Sequence, residues 1–331
     1  MLITSVFLGS LLLSAVLTRV VRVYSLKRGI IDRPSERGLH DAPVARGGGA
    51  AIVISVSVFL LALMLAGALD PGLFIPWTAC GVGFGLLGWV DDHIDLSAAV
   101  RLVCQFALAV AFCLAVLSGA TLELVPALAV VGAAAAMVWV VNLYNFMDGA
   151  DGFAACEALV VAGAGATVVG LAGSGDVALM AVLIAGGSAG FLYWNWSPAR
   201  IFMGDVGSYF LGFQFGALVL HGATTRSGAW VWLILLAPFV TDASLTLVRR
   251  IFKREQWWRP HRTHVYQRLI LGGWGHARVC VALLAITIIV LVPAALVAAR
   301  YPPLGPSATV TIYGLAVMIW LRIDRKIPQP G

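Results

Sequence analysis

Charge is scarce in this sequence. Asp, Glu, Lys and Arg make up 11% of its 331 residues, against about 25% in an ordinary globular domain. Hydrophobic residues account for 60%, and the mean hydropathy is +0.94. These values exclude a soluble domain, a disordered chain and a disulfide-stapled secreted module. Cysteine is also sparse: Cys80, Cys104, Cys113, Cys156 and Cys280 lie in or beside apolar runs with no CxxC. Neither a disulfide framework nor a zinc site is expected, and the five read as small packing residues. There is no internal repeat of the kind that marks many transporters. No basic residue precedes the first apolar run, Leu2–Leu17, whereas Arg19, Arg22, Lys27 and Arg28 follow it. That order is the reverse of a cleavable signal and predicts a first span with its N-terminus outside.

What the chain does have is apolar runs of spanning length. At about 20 residues per crossing, they are read at 2–21, 49–69, 72–90, 102–118, 122–141, 153–172, 177–194, 208–221, 229–248, 279–299 and 306–322. The expected fold is an all-α polytopic membrane protein of about eleven spans, a single integral membrane domain over residues 1–331. With the N-terminus periplasmic, the inside segments are 22–48, 91–101, 142–152, 195–207, 249–278 and the tail after 322. They and the adjoining span ends hold every Lys and Arg except Arg226 and Arg300. The net charge of +6 therefore reads as positive-inside topology, and no nucleic-acid partner is expected. The acids follow the same side. Asp91, Asp92, Asp95, Asp148, Asp151 and Asp205 lie on three inside loops, whereas outside there are only Asp70, Glu123 and Asp176.

Four stretches carry chemistry. Asp91-Asp92-His93 ends the third span; adjacent carboxylates repel and are poorly solvated there. They are either a solvated turn, or a pair that shares a cation or takes a proton from an acidic substrate. Asn145-Phe-Met-Asp148-Gly-Ala-Asp151-Gly places three polar side chains three residues apart, on neighbouring faces of a helical turn. One acid would complement a helix dipole; two acids with Asn142 and Asn145 exceed that need. In Phe202-Met-Gly204-Asp205-Val-Gly207-Ser208 a glycine-flanked carboxylate suits a Mg²⁺ ligand, since Mg²⁺ takes one or two carboxylates and fills its shell with water and phosphate oxygens. Phe202 could stack on a flat base, although spacing alone favours simple packing. The basic loop Arg249–Arg278 contains His261-Arg262-Thr263-His264-Val-Tyr266-Gln267. Its acid-poor surroundings oppose a cation and favour phosphate. Arg46 before three glycines could likewise cradle an anion. Carboxylates for Mg²⁺, basic groups for phosphate and an apolar body for a lipid together suit phosphoryl transfer from a soluble diphosphate to a membrane-bound phosphate.

These motifs resemble the polyprenyl-phosphate N-acetylhexosamine-1-phosphate transferases, and the resemblance covers nearly the whole chain. It rests on Asp91-Asp92, Asn145-x-x-Asp148-Gly-x-Asp151-Gly152, Phe202-Met-Gly-Asp205-x-Gly-Ser208, His261-Arg-x-His264 and Arg46-Gly-Gly. It implies that Asp205, with Asp92, binds Mg²⁺ (Mn²⁺ as the alternative) and the diphosphate. Asp91 would be the base for the lipid phosphate, supported by Asp92. Asn145, Asp148 and Asp151 would serve the nucleotide and diphosphate, with Asp148 among the catalytic groups and Phe202 under uracil. His261 and His264, one of them catalytic, would lie near the diphosphate or sugar, with Arg262 and Arg46 on phosphate. The implied partners are a UDP-N-acetyl sugar and undecaprenyl phosphate, at the cytoplasmic face of a bacterial inner membrane; a homodimer is compatible with the family.

Two departures narrow the subgroup. Pentapeptide-transferring members carry a His-rich triplet where this chain has His261-Arg-Thr-His264, and a lysine where it has Ile94, Asp95 and Leu96. Arg101 is the candidate substitute for that lysine. Both departures point away from peptidoglycan and towards enzymes that start O-antigen or similar glycans, with GlcNAc or a 6-deoxy sugar such as FucNAc or QuiNAc. A transporter or flippase would need ionisable groups near the midplane. Only Glu157 and Asp242 approach that description, and Asp242 is expected to pair with Arg249.

Overall fold

The computed structural model describes every residue except 1, 35–38, 41, 121–126, 226–227, 257–260 and 328–331. Glu123, Arg226 and part of the first inside loop fall outside the described residues. The chain is a helical bundle: α1 (Leu2–Arg28), α2 (Gly49–Leu65), α3 (Pro71–Ile94), α4 (Ala98–Ala120), α5 (Ala127–Phe146), α6 (Phe153–Leu171), α7 (Gly175–Asn195), α8 (Asp205–Thr224), α9 (Ala229–Leu235), α10 (Ala237–Phe252), α11 (Val265–Leu269), α12 (His276–Ile286), α13 (Val292–Arg300) and α14 (Gly305–Lys326). A π-helical turn at Thr287–Leu291 joins α12 to α13, so the two run as one length of helix. Each of the eleven expected apolar runs is mainly helical over its described residues. Eight stretches of described helix are long and apolar enough to cross a membrane, and α9 with α10 makes a ninth as a bent pair. This is a multi-pass, all-α membrane protein.

Three features depart from the sequence expectation. The run at 229–248 is not one straight span: α9 and α10 meet at 67°. Pro238 stands in the first turn of α10, where its missing N–H and its ring interrupt the ladder of the preceding turn. The expected eighth span is longer than its apolar core, since α8 occupies Asp205–Thr224 and is buried along nearly all of its length. Its polar content, including Ser208 and Gln214, is tolerated because neighbouring helices shield it from lipid; Gln214 Oε1 accepts from Trp77 Nε1 at 2.7 Å. Lastly, a two-residue antiparallel pair, β1 (Ile31–Asp32) with β2 (Val44–Ala45), lies in the first inside loop and is bridged in parallel by Ile201.

Small side chains let the central helices approach. On α1, Ser10 Oγ donates to Leu183 O at 3.0 Å and Ser14 Oγ to Gly187 O at 2.6 Å, both on α7, a membrane packing mode that relies on small residues and interhelical hydrogen bonds. The contact that positions the site is between α3 and α8. At Gly88 an added Cβ would lie 2.2 Å from Asp205 O, so only glycine lets the end of α3 touch the start of α8. A Gly88→Ala variant is expected to lose about 1–3 kcal/mol through overpacking. Gly132→Ala, whose methyl meets nothing within 4 Å, is expected to match the wild type. Thermal melting of the two detergent-solubilised variants provides the comparison.

Candidate active site

The close approach at Gly88 delivers Asp92 to the N-terminus of α8. Its carboxylate accepts from Asp205 N at 3.0 Å and Val206 N at 3.3 Å, two of the donors that a helix start leaves without partners. Gly204, immediately before, has φ +75°, and a Cβ there would stand 2.6 Å from Asp92 Oδ2. Arg46 completes the cluster: its Nη2 lies 2.7 Å from Asp92 Oδ1 and 3.3 Å from Asp205 Oδ1. Asn145 Nδ2 donates to Asp205 Oδ1 at 3.0 Å and to Ser208 Oγ at 2.9 Å. Residues 46, 92, 145 and 205, from four separate segments, thus share one hydrogen-bonded cluster.

Beside this cluster is a polar cavity of about 290 Å³. Arg46, Asn145, Asp148, Asp151, Phe202 and Asp205 line it, joined by Asp32, His40, Asn195, Gln267 and His276. Asp148 is half-buried, and its carboxylate has no hydrogen-bond partner among the described residues. Burial, then the negative charge of Asp205, push its pKa well above the usual carboxylate range, against the pull of Arg46. Asp205 has Oδ1 engaged by Arg46 and Asn145, while Oδ2 has no such partner among the described residues. Asp151 is more structural: Oδ2 accepts from Ala199 N at 3.1 Å, and its backbone N–H donates to His276 Nδ1 at 2.9 Å. Asn195 Oδ1 accepts from Gly152 N at 3.0 Å, tying together the turns that carry Asp151 and Asp205.

The structure does not bring every expected site residue to this wall. Asp91 is 6% exposed and is enclosed by three donors: Tyr209 Oη at 2.6 Å, Leu96 N at 2.9 Å and Arg101 Nη1 at 3.3 Å. Arg101 is committed to Asp91. Asp92 faces Arg46 and the α8 amides, with a side chain 4% exposed, and does not line the cavity. Neither do His261, Arg262 and His264. Among the cavity residues, Asp32, His40 and His276 carry no sequence signal as isolated polar residues in loops or at a helix start. Asn195 and Gln267 stand inside the motifs but without an assigned role.

The histidine segment abuts the site through the Tyr266 side chain. Asp242 on α10 does not pair with Arg249, as expected from the sequence; Arg249 and Arg268 both bind Asp324 on α14. Asp242 instead accepts from Val265 N at 2.9 Å, Tyr266 N at 3.2 Å, Thr246 Oγ1 at 3.2 Å and Trp320 Nε1 at 3.2 Å. Tyr266 then reaches the Asp148 turn: its hydroxyl accepts from Gly149 N at 3.0 Å and donates to Phe146 O at 3.1 Å. The rings of His261 and His264 lie 4.8 Å apart. Burial and the neighbouring basic groups depress both imidazoles to about 3. They are therefore neutral at pH 7, and the cation at the cavity wall is Arg46.

The chain is similar to known proteins over most of its length. Residues 74–223 match the family model described as glycosyl transferase family 4, a stretch that contains Asp91, Asp92, Asn145, Asp148, Asp151, Phe202 and Asp205. The chain is 31% identical to a probable undecaprenyl-phosphate N-acetylglucosaminyl 1-phosphate transferase of Bacillus subtilis, covering 82% of this chain and 78% of the relative. The chain belongs to the polyprenyl-phosphate sugar-1-phosphate transferase family. Also similar are a decaprenyl-phosphate N-acetylglucosaminephosphotransferase of Mycolicibacterium smegmatis, 31% identical over 90% of this chain and 82% of the relative, and a phospho-N-acetylmuramoyl-pentapeptide-transferase of Desulfitobacterium hafniense, 28% identical over 82% and 88%. Within the family frame, the cavity bordered by Arg46, Asp148 and Asp205 is the candidate active site.

The depressed histidine pKa values have a signed consequence. Between about 6.5, the ordinary value, and about 3, the unfolded chain binds protons that folded His264 refuses. The stability contributed by neutral His264 is thus full above pH 6.5 and is lost as the pH falls towards 3. Melting temperatures of wild type and His264→Gln across that range are expected to converge at low pH. A constant gap would contradict the burial of a neutral imidazole.

Proposed function

We propose that the protein transfers an N-acetylhexosamine-1-phosphate from a UDP-sugar to undecaprenyl phosphate at the cytoplasmic face of a bacterial inner membrane. UMP is released, and the product is the first lipid-diphosphate-sugar of a surface glycan. The observation that carries this reading is the polar cavity at one end of an apolar bundle, lined by Arg46 and by two carboxylates, Asp148 and Asp205, that keep oxygens without a hydrogen-bond partner among the described residues. A diphosphate needs the arginine, and a divalent cation needs the oxygens. Among the described residues no three His, Cys, Asp or Glu side chains form a metal cage. Two carboxylates are nonetheless the complement that Mg²⁺ commonly takes when phosphate oxygens and water complete its shell. Asp205 through Oδ2, together with Asp148, fits that role better than Asp92, whose oxygens already hold Arg46 and the α8 amides. Bound there, Mg²⁺ would neutralise charge developing on the phosphates.

The remaining roles follow from position. Asn145 fixes the Asp205 rotamer through Oδ1 and leaves Oδ2 without a hydrogen-bond partner among the described residues. Arg46, held by Asp92, presents positive charge to a phosphate oxygen. Asp91, enclosed by its three donors, secures the turn between α3 and α4 to α8. The lipid phosphate is already an oxyanion, so attack on the sugar-bearing phosphorus is direct and needs no base from Asp91. Phe202 lines the same cavity, and under this reading its ring is the platform for the nucleobase. The sugar is an N-acetylhexosamine, with GlcNAc supported by the names of the Bacillus and Mycolicibacterium relatives. A 6-deoxy sugar for O-antigen rests on the His261–His264 motif. The pentapeptide-transferring alternative has the Desulfitobacterium relative in its favour and the same motif against it.

The test is UMP release by purified protein with undecaprenyl phosphate, Mg²⁺ and a panel of UDP-GlcNAc, UDP-FucNAc and UDP-QuiNAc. Turnover with one of them, abolished by EDTA and restored by Mg²⁺, is the expected result. Asp205→Asn and Asp148→Asn should each lower it at least roughly 100-fold, the scale of losing a preorganised charge at a reacting phosphate. Undiminished turnover in Asp205→Asn, or no UMP with any of the sugars, sinks the assignment.

A further inference from the structure

Arg268 stands in the last turn of α11, and its side chain is fully buried. A buried cation needs a counter-charge and hydrogen-bond acceptors. The histidine segment supplies no acid of its own: after Glu255 the sequence has one Asp or Glu, Asp324, near the end of α14. Asp324 binds two arginines. Its Oδ1 accepts from Arg268 Nη1 and Arg249 Nη1, and its carbonyl accepts from Arg268 Nη2 at 3.0 Å. Arg249 Nη2 also donates to Thr263 O at 3.0 Å. The end of α10, the histidine segment and the end of α14 are thus fastened at one carboxylate.

This fastening continues to the cavity. Five residues of helix, Val265–Leu269, are too few to be stable alone, so α11 is held from outside. Asp242 takes the Val265 and Tyr266 amides at its start, and Asp324 takes Arg268 at its end. What α11 presents is Tyr266, whose ring stacks on Phe153 at 4.6 Å between centroids. The Tyr266 hydroxyl accepts from Gly149 N and donates to Phe146 O. A Cβ at Gly149 would stand 2.4 Å from that hydroxyl, so the turn carrying Asp148 fits closely against it. We infer that Asp324 is a positioning residue for the Asp148 turn, acting through Arg268 and the Tyr266 hydroxyl. Asp324 does not line the cavity. Its part is to neutralise two neighbouring cations that otherwise repel each other. Without it Arg268 is a buried charge with no counter-ion and is driven towards water, taking α11 with it. Tyr266 then loses its grip on Gly149 N and Phe146 O, and the backbone that aims the Asp148 carboxylate is released. The kinetic consequence of this inference rests on the proposed role of Asp148; the structural consequence does not.

Hydrogen–deuterium exchange over residues 146–152 of the detergent-solubilised protein tests the link in wild type, Asp324→Asn, Tyr266→Phe and the double variant. Phenylalanine keeps the stacked ring and removes only the hydroxyl, so Tyr266→Phe sets the exchange of a turn without its anchor. Asp324→Asn is expected to speed exchange over 146–152 by about tenfold, the scale of one hydrogen bond, while α1 and α7 exchange as in wild type. The double variant should add less than about twofold to either single change, because both release the same contact. In the UMP-release assay, kcat of Asp324→Asn should fall about tenfold with KM for the UDP-sugar within about twofold, as expected of a misplaced charge at the reacting phosphate. If Asp324→Asn does not fold, Asp324→Glu, which sets the charge one methylene further out, should give the same pattern with a smaller rise. Exchange over 146–152 that stays at the wild-type rate, rises equally in α1 and α7, or multiplies in the double variant overturns the inference. Wild type that releases no UMP overturns the transferase reading instead, and the exchange result alone then decides the role of Asp324.

Discussion

The structure depends on one electrostatic constraint: several carboxylates converge at one end of an apolar bundle, and Arg46 lies among them. Arg46 is shared between Asp92 and Asp205. Asp92 in turn spends its oxygens on the first amides of α8, where the helix dipole already favours a negative group. Its charge is therefore balanced twice, by guanidinium and by backbone. That arrangement needs α3 and α8 in backbone contact, which Gly88 permits, and a left-handed residue before α8, which Gly204 provides. Acids that would repel one another become a fixed scaffold from which Asp205 faces the cavity.

A second buried carboxylate organises the other wall. Asp242 gathers two backbone amides of the histidine segment, one hydroxyl and one indole. Through Tyr266 this order reaches the turn that carries Asp148. The 67° break between α9 and α10 therefore belongs with the site, since α10 is the helix that carries Asp242. The histidines, neutral and packed on one another, serve this framework in the structure as it stands, while Arg46 supplies the positive charge at the cavity.

Much of this was legible in the sequence because a charge-poor chain leaves few places for polar chemistry. The eleven apolar runs, the clustering of Asp91, Asp92, Asp148, Asp151 and Asp205 on three loops, and the glycines around Asp205 all carried their signal in local composition. What composition cannot show is which oxygen of each carboxylate is already occupied. Asp91 and Asp92 are neighbours in sequence but face Arg101 with Tyr209, and Arg46 with α8, respectively, because successive helical residues point about 100° apart. Asp242 and Arg249 have the spacing of a helical pair, yet Asp324, far along the chain, captures the arginine. Asp32 and His40 were invisible for a related reason: their neighbourhood is made by a two-residue strand pairing and a bridge to Ile201, which no periodicity announces.

The arithmetic of the cavity bears on how substrate and cation must enter under the proposed reading. Arg46 carries one positive charge, and Asp92 already claims part of it. Asp205 and Asp148 then face the same cavity, and the pKa of Asp148 is pushed up because burial and Asp205 both disfavour a second charge. A nucleotide diphosphate arriving alone would add further negative charge to this wall, in a partly dehydrated space where repulsion is poorly screened. A divalent cation arriving alone would find Asp205 and Asp148, fewer ligands than its octahedral shell requires, and among the described residues no group of three His, Cys, Asp or Glu could hold it. Each resolves the deficit of the other. Under that reading nucleotide and cation bind favourably together and unfavourably apart, and the upward push on the Asp148 carboxyl marks the repulsion that their joint arrival relieves.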